Sequence, residues 1–356
     1  MTQWRSEENP ERELRSCACA VSLRVLNAGV AKGANSEGEI RQNPKGLVRT
    51  RGDFRIPCRD TRSDCMAKQP LAEVFGYPID NHSPEAKRCR DNALCPFGNK
   101  VPNCTKDKAN NPLGVCSIFD GTDVVITCPV RFREKWLIAE DAAAFFFPKG
   151  TKWTTLTEVR LKDKHGGSAG NIDVVLCSYN DKGQVTDFGA LEVQAVYISG
   201  NVRNPFEHFM EDPKSRQKMD WSKRPNYPGP DYLSSSRKRL APQLIFKGGI
   251  FQAWKKKTAV ALNKGFFETL PKLEVVEPAK ADIAWFVYEL VKDPAENVYS
   301  LQRWKTIFTK FTESLEKITR SEPGDISDFV EVLQDKVDEK LDNQNPPDTE
   351  VISAPF

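Results

Sequence analysis

Four residues, Glu158, Asp173, Glu192 and Gln194, could carry acid chemistry in this 356-residue chain. Glu192 and Gln194 interrupt the apolar run "ALEVQAVYIS" (190–199). Two residues apart on a strand, they point to the same side. A carboxylate buried there without a partner is costly or becomes protonated, so Glu192 needs something to face. Glu158 closes one strand-like segment and Asp173 opens the next. In a meander those positions are neighbours, and Glu192 reaches Asp173 at the matching level. Three carboxylates at one point repel each other unless a cation lies between them. An all-oxygen set at a sheet edge suits Mg²⁺, which keeps waters and takes phosphate oxygens. Such an ion activates water and neutralises charge on a phosphate, which is phosphodiester hydrolysis. From spacing alone a blander reading is the better one: Glu192 pairs with a buried Arg and Asp173 caps a turn.

The second chemical feature is a set of cysteines. Of the ten in the chain, Cys95, Cys104, Cys116 and Cys128 follow one another at intervals of 9, 12 and 12 residues. Four thiolates hold a tetrahedral Zn²⁺ or Fe ion. The segment around them is rich in Asn, Pro and Gly and has no core of its own, so a metal would supply its folding energy. Cys89 competes as a ligand. Cys177 reads as a small buried residue on a strand. Reduced, unconnected thiols are the bland alternative. Cys17, Cys19, Cys58 and Cys65 fall in a stretch, 1–65, that has neither helical nor strand periodicity. That stretch reads as an ill-ordered extension, with Met66 a candidate for the real start.

The elements that must hold these residues follow from pattern. Residues 133–147 ("REKWLIAEDAAAFFF") have helical spacing. Three strands are expected at 152–161, 172–179 and 188–199, with the Gly- and Asn-rich turns "KDKHGGSAGN" and "NDKGQVTD" between them. A helix over 233–262 and a strong strand at 282–291 come next. Amphipathic helices at about 299–317 and 324–342 close the pattern, before a loose end. The expected class is α/β: a mixed sheet flanked by helices, plus a small four-cysteine metal-binding domain. The divisions are 1–65, the extension; 66–132, the metal domain; 133–320, the main core; and 321–356, an acidic helix and tail.

Net charge is only +3, but it is unevenly spread. Residues 214–264 carry thirteen Lys or Arg against two acids, and residues 322–356 carry ten acids against two lysines. A basic block interleaved with aromatics suits a polyanion or is a solvated face; charge alone leaves the two even. No apolar run is long enough to span a bilayer, and no secretory signal opens the chain. The expectation is a cytoplasmic protein, in which metal or free thiol is the better prior for cysteine. Only His82, His165 and His208 are present, none in a nucleophile motif, and no phosphate-cradling Gly loop occurs.

Taken together, "LAEVFGYP" (71–78), "CPFGNKVPNC", "GVC" and "CP", the Glu/Asp/E-x-Q meander with "GALEVQ" (189–194), and "AWFVYEL" (284–290) resemble the NotI family of type II restriction endonucleases. The resemblance runs from about Leu71 to about Val291. It implies a bacterial restriction enzyme with the P-D…(D/E)-x-K nuclease fold and a domain where four Cys hold an iron ion, alternatively Zn²⁺. On that resemblance Glu158, Asp173 and Glu192 are the Mg²⁺-binding catalytic acids. Gln194 takes the place where the broad superfamily has a general-base Lys, and being unable to exchange protons it only orients water. "IDVVL" (172–176) lacks the Pro that often precedes the Asp. The resemblance further implies a homodimer on double-stranded DNA, ends carrying 5′-phosphates, and a cognate DNA methyltransferase in the same system. Arg237, Lys238, Arg239, Lys255, Lys256 and Lys257 are the first candidates for phosphate contacts. The rival is a metal-stabilised DNA-binding protein of the same fold that has lost cleavage.

Overall fold

Strands dominate, and among the described residues they form a six-stranded sheet, a four-stranded sheet and two two-stranded ones. The computed structural model describes residues 68–342 except Asn99, all in the chain's unit Arg59–Phe356. The expectations for 1–65 and for the end of the tail lie outside the described residues.

The first sheet is four-stranded and antiparallel. It contains β1 (Leu71–Val74), β2 (Tyr77–Pro78), β5 (Val115–Asp120) and β6 (Asp123–Ile126), in the order β2-β1-β5-β6. Helix α1 (Pro84–Asp91) and the small hairpin β3 (Asp107–Lys108) and β4 (Asn111–Pro112) lie between its strands in sequence. Ser83 caps α1, its hydroxyl accepting from Ala86 N–H.

Helix α2 (Leu137–Phe146) leads into the large sheet. Pro129–Trp136 before it is a 3₁₀ turn broken at Glu134 and Lys135, so the expected helix begins four residues late. The meander is then β7 (Trp153–Lys162), β8 (Ser168–Tyr179) and β9 (Val185–Gln194), antiparallel as expected. The third strand stops early. At Ala195 the chain turns away, and β10 (Tyr197–Ser199) pairs instead with β11 (Gly229–Asp231). Helix α3 (Arg203–Glu211) and a short turn, α4 (Pro213–Arg216), lie between them.

A long helical stretch, α5, covers 232–253 and includes two π segments, Ser235–Leu240 and Leu244–Gly248. It does not continue to 262. Thr258–Asn263 is strand β12, all six residues buried, parallel to both β9 and β13 (Ile283–Asp293). Helix α6 (Lys264–Phe267) follows β12. Of the helix expected at about 299–317, only the part from Phe311 is helical; the first part is β14 (Val298–Thr309), which pairs antiparallel with β13 across a tight turn. Helices α7 (Phe311–Thr319) and α8 (Ile326–Asp342) come last. The six-stranded order is β14-β13-β12-β9-β8-β7, a mixed sheet.

Strand alternation divides the core. Val260 and Leu262 of β12 and Ile283, Trp285 and Val287 of β13 join Leu71, Val74, Val115 and Ile118 in one cluster, so segment 66–132 shares its core with the large sheet. Ala259, Ala261, Ala284 and Phe286 face the other way, onto Ile138, Ala142 and Phe146 of α2. Leu191 and Val193 of β9 belong to that second side. Gly189 lets α2 approach: a Cβ there would meet the Phe146 ring at 2.5 Å. With Leu191 and Val193 committed to α2, the pleat directs Glu192 and Gln194 to the opposite face, toward α5.

Candidate active site

The three strands bring the acids to adjacent positions. Thr157 pairs with Val174 and Val159 with Ile172, which sets Glu158 opposite Asp173. Val174 pairs with Leu191, so the same register sets Asp173 opposite Glu192. Glu158 breaks the ladder with a φ of +58°, a left-handed conformation unusual in a strand. Strain of this kind gathers at functional sites. Glu158 and Asp173 line one cavity of about 260 Å³, together with Lys100, Pro129 and Arg133. Asp173 Oδ2 accepts the Val193 N–H at 2.8 Å, which fixes the carboxylate against β9 rather than capping a turn.

Glu192 is buried at 2% exposure. Its partner is not an Arg but Lys247 of α5, whose Nζ donates to Glu192 Oε2 at 2.5 Å and to the Asn171 carbonyl at 2.9 Å. Burial first, and the Asp173 charge second, push the Glu192 carboxyl up to about 8, against the opposing pull of Lys247. Glu192 Oε1 has no hydrogen-bond partner. A buried carboxylate oxygen left bare beside a second carboxylate is the arrangement a hard cation completes. Among the described residues, no three His, Cys, Asp or Glu side chains are closed around one point as the ligands of a metal. The fit of Mg²⁺ therefore rests on that bare oxygen and the all-oxygen donor set of Asp173, Glu192 and Glu158. Gln194 is buried, and its Nε2 donates to the Ala195 carbonyl at 2.7 Å.

Three of the four cysteines also approach one another. Strand pairing of Ser117 with Ile126, and a Thr127 N–H to Cys116 carbonyl bond of 3.0 Å, bring Cys116 beside Cys128. Cys95 and Cys104 flank the Leu94–Asn103 bridge. Cys104, Cys116 and Cys128 are buried. Burial pushes the Cys116 thiol well up, and Cys128 adds to it. Lys106 lies among these three thiols, its Nζ donating to the Val115 carbonyl at 2.6 Å and Thr127 Oγ1 at 3.2 Å. The donor chemistry suits a thiophilic ion. Cys177 is buried on β8, away from this group, beside Phe251.

Comparison with protein families matches residues 73–301 to the restriction endonuclease NotI family. The chain belongs to the NotI restriction endonuclease family. No match was found among curated proteins. NotI membership implies a nuclease that binds DNA, and the match spans both the first sheet and the acid-bearing meander. Among the described residues no helix is long and apolar enough to cross a membrane.

For a NotI-family chain the surface beside the acids matters as much as the acids. A groove of about 1030 Å³ runs from Asp173 and Gln194 past Lys106, Arg203, Lys238 and Arg239. Arg239 stacks over the Tyr197 ring at 5.1 Å. Arg237 lines a different groove, with Arg320 and Lys317. Lys255, Lys256 and Lys257 precede Thr258, which pairs with Ala190, so they sit toward the other end of β9 from Gln194. Lys256 Nζ is 2.6 Å from Asp187, and Lys257 donates to the Phe145 carbonyl. Lys247 was hidden in the basic block and carried no individual sequence signal.

Proposed function

We propose that this chain is a type II restriction endonuclease that hydrolyses phosphodiester bonds at a specific sequence in double-stranded DNA and leaves 5′-phosphate ends. One observation carries the reading: the buried Glu192 Oε1, which receives no donor, lies beside Asp173, and Asp173 lines a groove with Lys238 and Arg239. Asp173 and Glu192, with Glu158 across the sheet, would hold Mg²⁺. Bound there, the ion supplies an activated water and neutralises charge on the phosphate. Val193 N–H keeps the Asp173 carboxylate turned toward the site. Gln194 has no proton to exchange and orients water. Lys238 and Arg239 grip backbone phosphates, which fixes register without reading sequence.

Two further parts complete the proposal. Cys95, Cys104, Cys116 and Cys128 hold a structural iron or zinc ion, closed to chemistry by its four protein ligands. A homodimer sets one acid cluster against each strand of a palindrome, in the cytoplasm, alongside a methyltransferase of the same system that protects the host's own sites.

The test is a digest. The full chain is incubated with long DNAs of known sequence and Mg²⁺, beside an EDTA control. Discrete fragments that vanish in EDTA support the proposal, and their sizes give the site. Binding without cutting selects the alternative, a metal-stabilised DNA-binding protein of the same fold.

A further inference from the structure

Lysine is almost never fully buried unless it is paired. Lys247 is 6% exposed and points into the sheet face where Glu192 lies. It reaches that depth on a π segment, Leu244–Gly248, a local widening of the helix that often marks functional sites. The residue after it is Gly248, where a Cβ would strike the Phe311 ring at 2.6 Å, so α5 packs closely on α7 at this turn. The stem runs past Gly170. The helix, the glycines and the strand all converge on placing one amine.

That amine touches two atoms, Glu192 Oε2 at 2.5 Å and the Asn171 carbonyl at 2.9 Å. Asn171 is two residues before Asp173 on β8, so Lys247 bridges the strands that carry both acids. The consequence for Glu192 is an asymmetric carboxylate. Oε2 is anchored, and Oε1 is left without a partner beside Asp173. Two residues further along β9 stands Gln194, whose amide is turned onto its own backbone and gives the acids no cationic neighbour.

We propose that Lys247 is a positioning residue of the site: it holds Glu192 by one oxygen so that the other is presented, with Asp173, to the divalent cation. This rests on the nuclease reading above. A lysine that merely fills the core would behave differently: removing one partner of a buried pair lowers stability, but methionine fills the same volume and would leave cation binding unchanged.

The test measures cation binding directly. Mn²⁺ binding to the full chain without DNA is followed by the loss of its free-ion EPR signal, for the native chain, Lys247→Met and Lys247→Arg. Thermal melting of each reports folding. Lys247→Met is expected to melt cooperatively and to bind Mn²⁺ about tenfold or more weakly, the usual size of losing a group that orients a metal ligand. The Mg²⁺ concentration for half-maximal cleavage should rise by the same factor, and Lys247→Arg should recover most of the loss. If Lys247→Met binds Mn²⁺ as the native chain does, the proposal is overturned while the nuclease reading stands. If the native chain neither binds Mn²⁺ nor cuts DNA, the reading and the proposal fall together. Should Lys247→Met not melt cooperatively, Lys247→Gln is judged on the same criteria.

Discussion

Arg131 Nε lies 3.0 Å from Glu73 Oε2, and neither side chain is exposed to solvent. Glu73 sits inside β1 and also accepts from Ser117 Oγ of β5 at 2.8 Å. The same guanidinium reaches Glu134 at 2.6 Å and the Tyr299 carbonyl of β14 at 2.8 Å. One buried arginine thus joins the first sheet to the edge of the large sheet. Burial pushes the Glu73 carboxyl up in spite of Arg131, so the pair is a poor source of net stability while intact. Broken, it is expensive. Glu73→Ala should cost about 3 kcal/mol, because the guanidinium keeps Glu134 while its buried Nε and the Ser117 hydroxyl lose their acceptor. Equilibrium denaturation measures this. A loss below about 1 kcal/mol, the worth of an exposed pair, would mean that the network is open to water.

Glu192 sets a pH dependence. Its carboxyl is pushed up to about 8, by burial first and the Asp173 charge second. The unfolded chain returns it to the ordinary carboxylate range, so between about pH 4.3 and pH 8 the folded state binds more protons. Stability from this group is present in full below the unfolded value and is lost as pH rises through the folded one. EDTA-treated chain should therefore melt lower near pH 8.5 than near pH 6. Glu192→Gln carries no titrating group and should flatten that fall, and saturating Mg²⁺ should flatten it in the native chain. Equal pH slopes for native and Glu192→Gln chains would remove Glu192 as the source.

The site was partly legible in the sequence. The meander could be read because Gly- and Asn-rich turns punctuate it and because its strands alternate or run apolar between those turns. The two-residue spacing of Glu192 and Gln194 then fixed their common face. Lys247 was not legible. It is 55 residues from Glu192, and on a helix rich in basic residues nothing in the spacing separates a buried lysine from a solvated one. The π segment that carries it breaks the 3.6-residue rule on which a helical wheel depends. Strand β12 was hidden for a related reason: no Gly or Pro separates it from α5, only Trp254 and Lys255–Lys257. In β14 the exposed run Gln302–Lys305 masks the alternation and reads as one side of an amphipathic helix. Glu73 interrupts the short apolar run "LAEVF" (71–75), and the arginine that satisfies it is 58 residues away.

DNA affinity should separate Arg239 from Lys256. Arg239 lines the groove that holds Asp173 and Gln194 and is stacked on Tyr197, with its charge facing the groove. Lys256 is already committed to Asp187 at 2.6 Å. Binding in Ca²⁺ to duplexes of different sequence, measured across a salt series, is the check. Arg239→Ala should weaken binding to all of them and lower the slope of log affinity against log salt by about 1, the yield of one phosphate contact. Lys256→Ala should leave the slope unchanged. The reverse pattern would put the DNA toward the other end of β9.

The cysteines predict a bound metal and a control beside it. Cys116 is buried next to Cys128 and Cys104, and burial pushes the Cys116 and Cys104 thiols up, so their thiolates are costly until a cation compensates them. Burial pushes the Lys106 ammonium down while the three sulfurs beside it pull it up; charged, it would offset part of the negative charge that four thiolates leave on a divalent ion. Natively purified chain should therefore contain about one iron or zinc ion per molecule by mass spectrometry of the elements. Cys116→Ser should lose that ion and melt at a lower temperature, and a strong chelator should reproduce the loss in the native chain. Cys177→Ser should keep the metal, because Cys177 packs against Phe251 on β8 and takes no part in the group. Equal metal content in Cys116→Ser and Cys177→Ser would mean that the four thiols are not the ligands. Segment 66–132 would then hold together through the core it shares with Trp285 and Val260.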